Sequence, residues 1–218
     1  MVEPIMDARP HAPQPEVASL DTEGLRALAN PLRVQLVSLL RKDGPSTAAR
    51  LAERLGVNSG TTSYHLRRLH AAGFVTEDTG RGTARERWWR SVHRATHFTD
   101  PALAAREPEA ALAYLRSIAT LYSARTERAL NELETLPDVW RGAFDMSDWH
   151  LRLTPEEANA LKEEIASVVA RYRADAPEEM ADAPEGVERV VLIAQLLPEP
   201  EIPDESGVSA RPRTDRSR

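Results

Sequence analysis

The chain has no cysteine. That excludes disulfides, thiolate metal sites and a cysteine nucleophile. Lysine is scarce as well, at Lys42 and Lys162 only, so arginine carries nearly all the positive charge. The longest apolar run, residues 190–197, contains Gln195 and falls far short of the ~20 residues that span a bilayer. The N-terminal stretch is acidic and rich in proline, without the basic and apolar regions of a signal peptide. A soluble, cytoplasmic protein with no membrane partner is expected. Catalytic patterns are missing too: there is no nucleophile–base set, phosphate loop or pair of carboxylates on a rigid element, and His150 stands alone. No enzyme activity and no cofactor are expected.

What is present is unevenly distributed. The net charge of −6 argues against nucleic acid as a partner, but the average hides a division. Residues 22–98 hold 13 Arg and Lys against 6 Asp and Glu, a surplus of 7 positive charges. The rest of the chain holds 15 against 28, a deficit of 13. A basic module joined to an acidic one fits the first binding phosphates while the second does something else.

Residues 47–75 read as two short amphipathic helices joined by a tight turn. Leu51, Ala52 and Leu55 share one face of the first; Thr62, Leu66 and Leu69 share one face of the second. Gly56 is placed to stop the first helix and Asn58 to cap the second. Away from the apolar stripe stand Ser59, Gly60, Thr61, Ser63, Tyr64, Arg67 and Arg68. Small hydroxyls, one tyrosine and two arginines suit a DNA major groove, whereas an ordinary helical hairpin would carry a merely solvated face.

The flanks favour the first reading. Residues 1–19, with Pro4, Pro10, Pro13 and Pro15, read as a disordered tail. Asp21 can cap a first helix, Asn30-Pro31 opens a second ending at Asp43-Gly44-Pro45, and Thr47 can cap a third. Residues 74–78 and 86–92 are strand-like, around a loop rich in Gly and Arg, and look like a wing whose Arg81, Arg85 or Arg87 can meet phosphates. Trp88 and Trp89 point to opposite strand faces, so at least one should pack on the helices.

Asn30-Pro31-Leu32-Arg33, Leu51-Ala52, Ser63-Tyr64-His65-Leu66 with Leu69, then Ala72-Gly73-Phe74-Val75, resemble the ArsR-type winged helix-turn-helix regulators. Arg85-Glu86-Arg87-Trp88-Trp89-Arg90 is similar to the second wing strand of one branch. The resemblance covers about residues 20–95. It implies a homodimeric regulator, a repressor on this reading, whose two recognition helices bind double-stranded DNA at a pseudo-palindromic operator. Ser59, Gly60, Thr61, Ser63 and Tyr64 would face bases or nearby phosphates; Arg67 and Arg68 would mostly contact phosphates. His65 sits beside the buried stripe and is given a packing or backbone-bonding role.

Metal-sensing relatives use cysteines in the third helix, or Asp and His in a helix after the wing. This chain has neither, which places it in a non-metal-sensing branch. His93, His97 and Asp100 remain the weak candidates for a metal-responsive alternative.

Beyond the wing, residues 103–136 form a long helical pattern, with Ala111, Leu112, Leu115, Ile118, Tyr122, Leu130 and Leu133 near one stripe and Pro108 close to its start. Leu112, Leu115, Ile118 and Tyr122 are expected to pair with a second subunit. Residues 149–154 alternate as a half-buried strand, Thr154-Pro155-Glu156-Glu157 begins a helix, and residues 190–197 read as a strand buried on both faces. Two strands alone are marginal without helices or a second subunit to pack on. Trp140, Phe144, Met146 and Trp149 make an aromatic and thioether cluster that suits either plain core or a pocket for a small-molecule effector. A protein-interaction module is the further alternative for this half.

The expected fold is α+β: a mainly helical winged domain over residues 20–98, a linker and dimerisation helix over 99–137, a strand–helix–strand unit over 138–197, and tails at 1–19 and 198–218.

Overall fold

The computed structural model describes residues 17–81, 86–98, 100–172 and 186–199. It opens with strand β1 (Val17–Ser19), then helices α1 (Thr22–Leu28) and α2 (Pro31–Asp43), a two-residue strand β2 (Ser46–Thr47), and helices α3 (Ala48–Leu55) and α4 (Ser59–Ala71). Each of these four helices starts on a side chain that accepts a backbone N–H: Asp21 from Gly24 at 2.7 Å, Asn30 from Arg33 at 3.2 Å, Thr47 from Arg50 at 3.4 Å and Asn58 from Gly60 at 2.7 Å. A cap of this kind contributes about 1 kcal/mol. Asn58→Ala is therefore expected to lower stability by about 1 kcal/mol, read by urea denaturation, because it uncaps the helix that carries the polar face.

Gly56 ends α3 at φ 64°, where a Cβ is strained, and the N–H groups of Gly56 and Val57 close on the carbonyls of Glu53 and Ala52. That reversal turns the chain from α3 into α4. Leu51, Leu66 and Leu69 then meet Leu25, Leu36 and Leu40 in one apolar core.

The wing is antiparallel. β3 (Val75–Glu77) pairs with β4 (Trp88–Ser91), Glu77 opposite Trp89, and β4 also pairs with β2, so the strand order is β2-β4-β3. Trp89 is buried and Trp88 half-buried, as alternation requires. A second ladder joins β1 in parallel to β5 (Ala95–His97), Ala18 opposite Thr96. The segment 1–19 is thus not all tail: from Val17 it is ordered, because β5 supplies backbone partners and Ala18 and Leu20 enter the core. The tail residues 1–16 and 200–218 lie outside the described residues.

The long helical pattern divides in two. α5 (Pro101–Arg106) ends at Glu107, and α6 (Pro108–Glu132) begins on a proline, whose missing N–H costs nothing at a first helical position. A single 3-10 turn (Leu133–Thr135) and the short α7 (Asp138–Arg141) follow. α6 lies against α1 and α2, burying Ala111, Tyr114 and Ser117. Polar ties reinforce this: the Arg26 guanidinium grips Glu107 at 2.8 Å, and Arg125 donates to Ser38 Oγ at 2.6 Å. Half-buried Arg41 on α2 donates to the His93 carbonyl and to Thr96 Oγ1, both at 2.7 Å. Burial pulls its pKa down to about 10, with Tyr114 acting the other way, so it stays charged at neutral pH.

The described residues fall into two units, one reaching residue 146 and the other formed by 147–172 and 186–199. The second unit departs from expectation. Its helix α8 (Pro155–Val169) has the anticipated capping box, but residues 149–154 and 190–197 are irregular rather than strands. Among the described residues neither 149–153 nor 190–197 has a backbone–backbone partner. The residues of the expected aromatic cluster are divided between the units: Trp140 and Phe144 are half-buried and Met146 is exposed in the first, and Trp149 is exposed in the second. No helix among the described residues is long and apolar enough to cross a membrane.

Candidate nucleic-acid interface

α4 presents its faces as the periodicity requires. Thr62, Leu66 and Leu69 are fully buried, and Thr62 Oγ1 donates to the Asn58 carbonyl at 3.2 Å, so the hydroxyl on the inner face is satisfied. Ser59, Gly60, Thr61, Tyr64, Arg67 and Arg68 are exposed, and Ser63 is half-buried. A Cβ built on Gly60 would come within 2.9 Å of the Asn58 cap oxygen. Any larger residue there must displace the cap.

His65 lies between the two faces. Its ring meets Tyr64 edge-on at 5.2 Å, and its Nδ1 lies 3.5 Å from Arg33 Nη1. Arg33 is held in turn by the Ala27 carbonyl through Nε and by the Arg26 carbonyl through Nη2 at 3.1 Å. Burial and then the Arg68 charge lower the Arg33 pKa, while Tyr64 opposes them. This chain of contacts runs from the end of α1, through α2, to the exposed tyrosine. The adjacent Asn30-Pro31 signal marks the helix start in the sequence, but nothing local marks the pairing of positions 33 and 65.

Burial, then the nearby Arg33 charge, hold the His65 pKa below its ordinary value. The folded chain therefore binds this proton more weakly than the unfolded chain does. The contribution is fully present above about pH 6.5 and is lost as pH falls through the folded pKa. Denaturation at a series of pH values is expected to show wild type losing more stability than His65→Gln in that window; parallel curves would contradict it.

The wing arginines are engaged but not buried. Arg81 pairs with Asp78 at 3.3 Å and Arg87 with Glu77 at 3.1 Å, and each guanidinium is more than half exposed. Exposed pairs contribute about 0–1 kcal/mol, so exchanging a carboxylate for a phosphate costs little. Arg85 lies outside the described residues. Arg50, which sequence reasoning missed, stacks 4.9 Å above the Trp88 ring and so joins the first turn of α3 to the wing. His70 Nδ1 lies 2.9 Å from the Val75 carbonyl and its ring meets Trp89 edge-on, which locks the end of α4 against β3.

The residues of the metal alternative do not gather on a helix. His93 follows β4 and His97 ends β5, while the Asp100 carboxylate caps α5 by accepting from Ala102 at 2.8 Å and Leu103 at 3.0 Å. The His97 side chain lies outside what is described. Among the described residues no group of three His, Asp or Glu can hold a metal ion.

Two helices at a tight turn, a polar exposed face on the second and an antiparallel wing behind it make a winged helix-turn-helix. Residues 28–78 match the family model described as "Helix-turn-helix domain". The match over those residues supports a helix-turn-helix DNA-binding transcription regulator. No curated protein gives a significant match to this regulator. Among solved structures it is similar to a ZitR mutant from Lactococcus lactis in apo form, at 14% identity, covering 66% of this chain and 84% of that one with a TM-score of 0.29. A second structure of that mutant is 13% identical, covers 66% and 74%, and has a TM-score of 0.26. At scores this low the fold assignment rests on the matched residues 28–78 and on the regulator's own topology.

Proposed function

We propose that this regulator is a cytoplasmic homodimer of the ArsR type, that it reads a pseudo-palindromic operator, and that it represses transcription there. The observation that carries the reading is the face of α4: Thr61, Tyr64, Arg67 and Arg68 stand exposed while Thr62, Leu66 and Leu69 fix that helix in the core. Arg67, Arg68, Arg81, Arg85 and Arg87 are assigned to phosphates. Ser59, Gly60, Thr61, Ser63 and Tyr64 are assigned to the groove. On this reading residues 20–98 bind DNA, 99–137 carry a dimerisation helix, and 138–197 form the part open to regulation, including by a small-molecule effector.

Leu112 and Leu115 support the dimer, since both are large, apolar and exposed on α6. Tyr122 is half-buried next to that face. Ile118, expected on the same stripe, packs instead against the core, so its role in a dimer is indirect. An open groove between the start of α2 and α6, lined by Pro31, Leu112, Ala113 and Arg116, extends the same face.

The test begins by mapping where the full chain sits on its genome, followed by footprinting at a mapped site. Protection of two half-sites about one helical turn apart, roughly 10–10.5 bp centre to centre, is expected. Protection of a single half-site by one chain would overturn the homodimer.

A further inference from the structure

The second unit has a well-started helix and no interior. Thr154 Oγ1 accepts from Glu157 N at 3.2 Å and Glu157 Oε2 accepts from Thr154 N at 2.7 Å, so α8 is capped from both sides. Yet no described residue of this unit is buried. Trp149 is 74% exposed, Leu192 68%, Leu197 70% and Tyr172 75%. An ordinary monomer rarely leaves a contiguous apolar patch of more than a few hundred Å² exposed.

The backbone is equally incomplete. Among the described residues, neither 149–153 nor 190–197 makes a backbone–backbone hydrogen bond. Both have strand sequences. Trp149, Leu151 and Leu153 alternate with polar neighbours, and residues 190–197 run Val, Val, Leu, Ile, Ala, Gln, Leu, Leu. A segment with these side chains is stable only when its apolar face is covered and its N–H and C=O groups are paired.

We propose that a second copy of this chain completes the unit, with residues 149–154 and 190–197 pairing as strands between copies and the apolar side of α8, with Leu161, Ile165 and Val168, covering the shared sheet. This rests on the homodimer reading and adds where the copies exchange structure. The second copy is the favoured occupant on two grounds. Residues 149–154 and 190–197 hold one formal charge between them, Arg152, so like segments meet with little repulsion. A strand-forming edge is also most readily templated by its own sequence.

Hydrogen–deuterium exchange on the full chain, read by mass spectrometry across a dilution series with sedimentation in parallel, tests this. Amides of 190–197 are expected to be protected where the dimer is populated and to exchange as free coil where it has dissociated. The double substitution Val190→Lys/Leu192→Lys is expected to weaken self-association by about 100-fold or more while the melting of the helix-turn-helix unit is unchanged. A stable dimer in which 149–154 and 190–197 exchange as free coil would overturn this inference and leave the homodimer standing. A chain that is monomeric at every concentration would overturn both. Protection that arises in the monomer, or only after addition of another protein, would also overturn it.

Discussion

Replacing Arg67 and Arg68 together by alanine is expected to weaken operator and non-operator DNA alike, by about 10- to 100-fold at moderate salt. The slope of log affinity against log salt should fall by about 2, because each phosphate left without its arginine keeps about one condensed counterion. The magnitude follows from placement. Both side chains are exposed on the outer face of α4, so truncation removes charge without opening a cavity, and the fold should be unaffected. Fluorescence anisotropy on one operator and one scrambled duplex at several salt concentrations reads both quantities. An unchanged operator affinity would remove these arginines from the interface.

The second large effect lies beneath that face. Leu66 is fully buried at the centre of α4, in a core shared with α2 and α3. Leu66→Ala is expected to cost about 3 kcal/mol, from the transfer energy of the removed methyl groups plus the cavity left behind. For a cooperative unit of this size that lowers Tm by about 6–12 °C. Because α4 is positioned by this packing, DNA affinity should fall along with stability and recover on cooling. Calorimetry of the full chain gives the first number and anisotropy at two temperatures the second. A Tm within a degree of wild type would mean that the core does not hold α4 as described.

Much of the reading region was legible from the residues because its signals are local. Asp21, Asn30, Thr47 and Asn58 are each a cap next to the helix they start, Gly56 stops α3, and the period of Leu51, Leu66 and Leu69 assigns the inner face. What stayed hidden is non-local. β1 and β2 are three and two residues long, below any periodicity, and exist only because β5 and β4 come alongside. The contacts of Arg33 with His65 and of Arg50 with Trp88 join positions 32 and 38 apart. The apolar stripe on α6, proposed for a dimer, was blurred for a related reason. An amphipathic pattern states which residues are apolar but not which neighbour they meet, and here Ile118 meets the core while Leu112 and Leu115 do not.

The second unit fails in the opposite direction. Residues 149–154 and 190–197 have strand composition, but composition supplies no partner, and among the described residues they are irregular. The Arg and Gly pattern of the wing was informative about type, yet Arg81 and Arg87 already hold Asp78 and Glu77. On the proposed reading, their release onto phosphates is an exchange of weak partners rather than the capture of idle charge.

Whether α4 reads bases or merely rests on the backbone is decided by the ratio of operator to scrambled-duplex affinity. The ratio is measured for wild type, Thr61→Ala and Tyr64→Ala at one fixed salt concentration. Each substitution is expected to lower it by about 10-fold or more while affinity for the scrambled duplex stays near wild type, since a base contact discriminates by about 1–3 kcal/mol. If both variants keep the wild-type ratio, α4 is not the base reader.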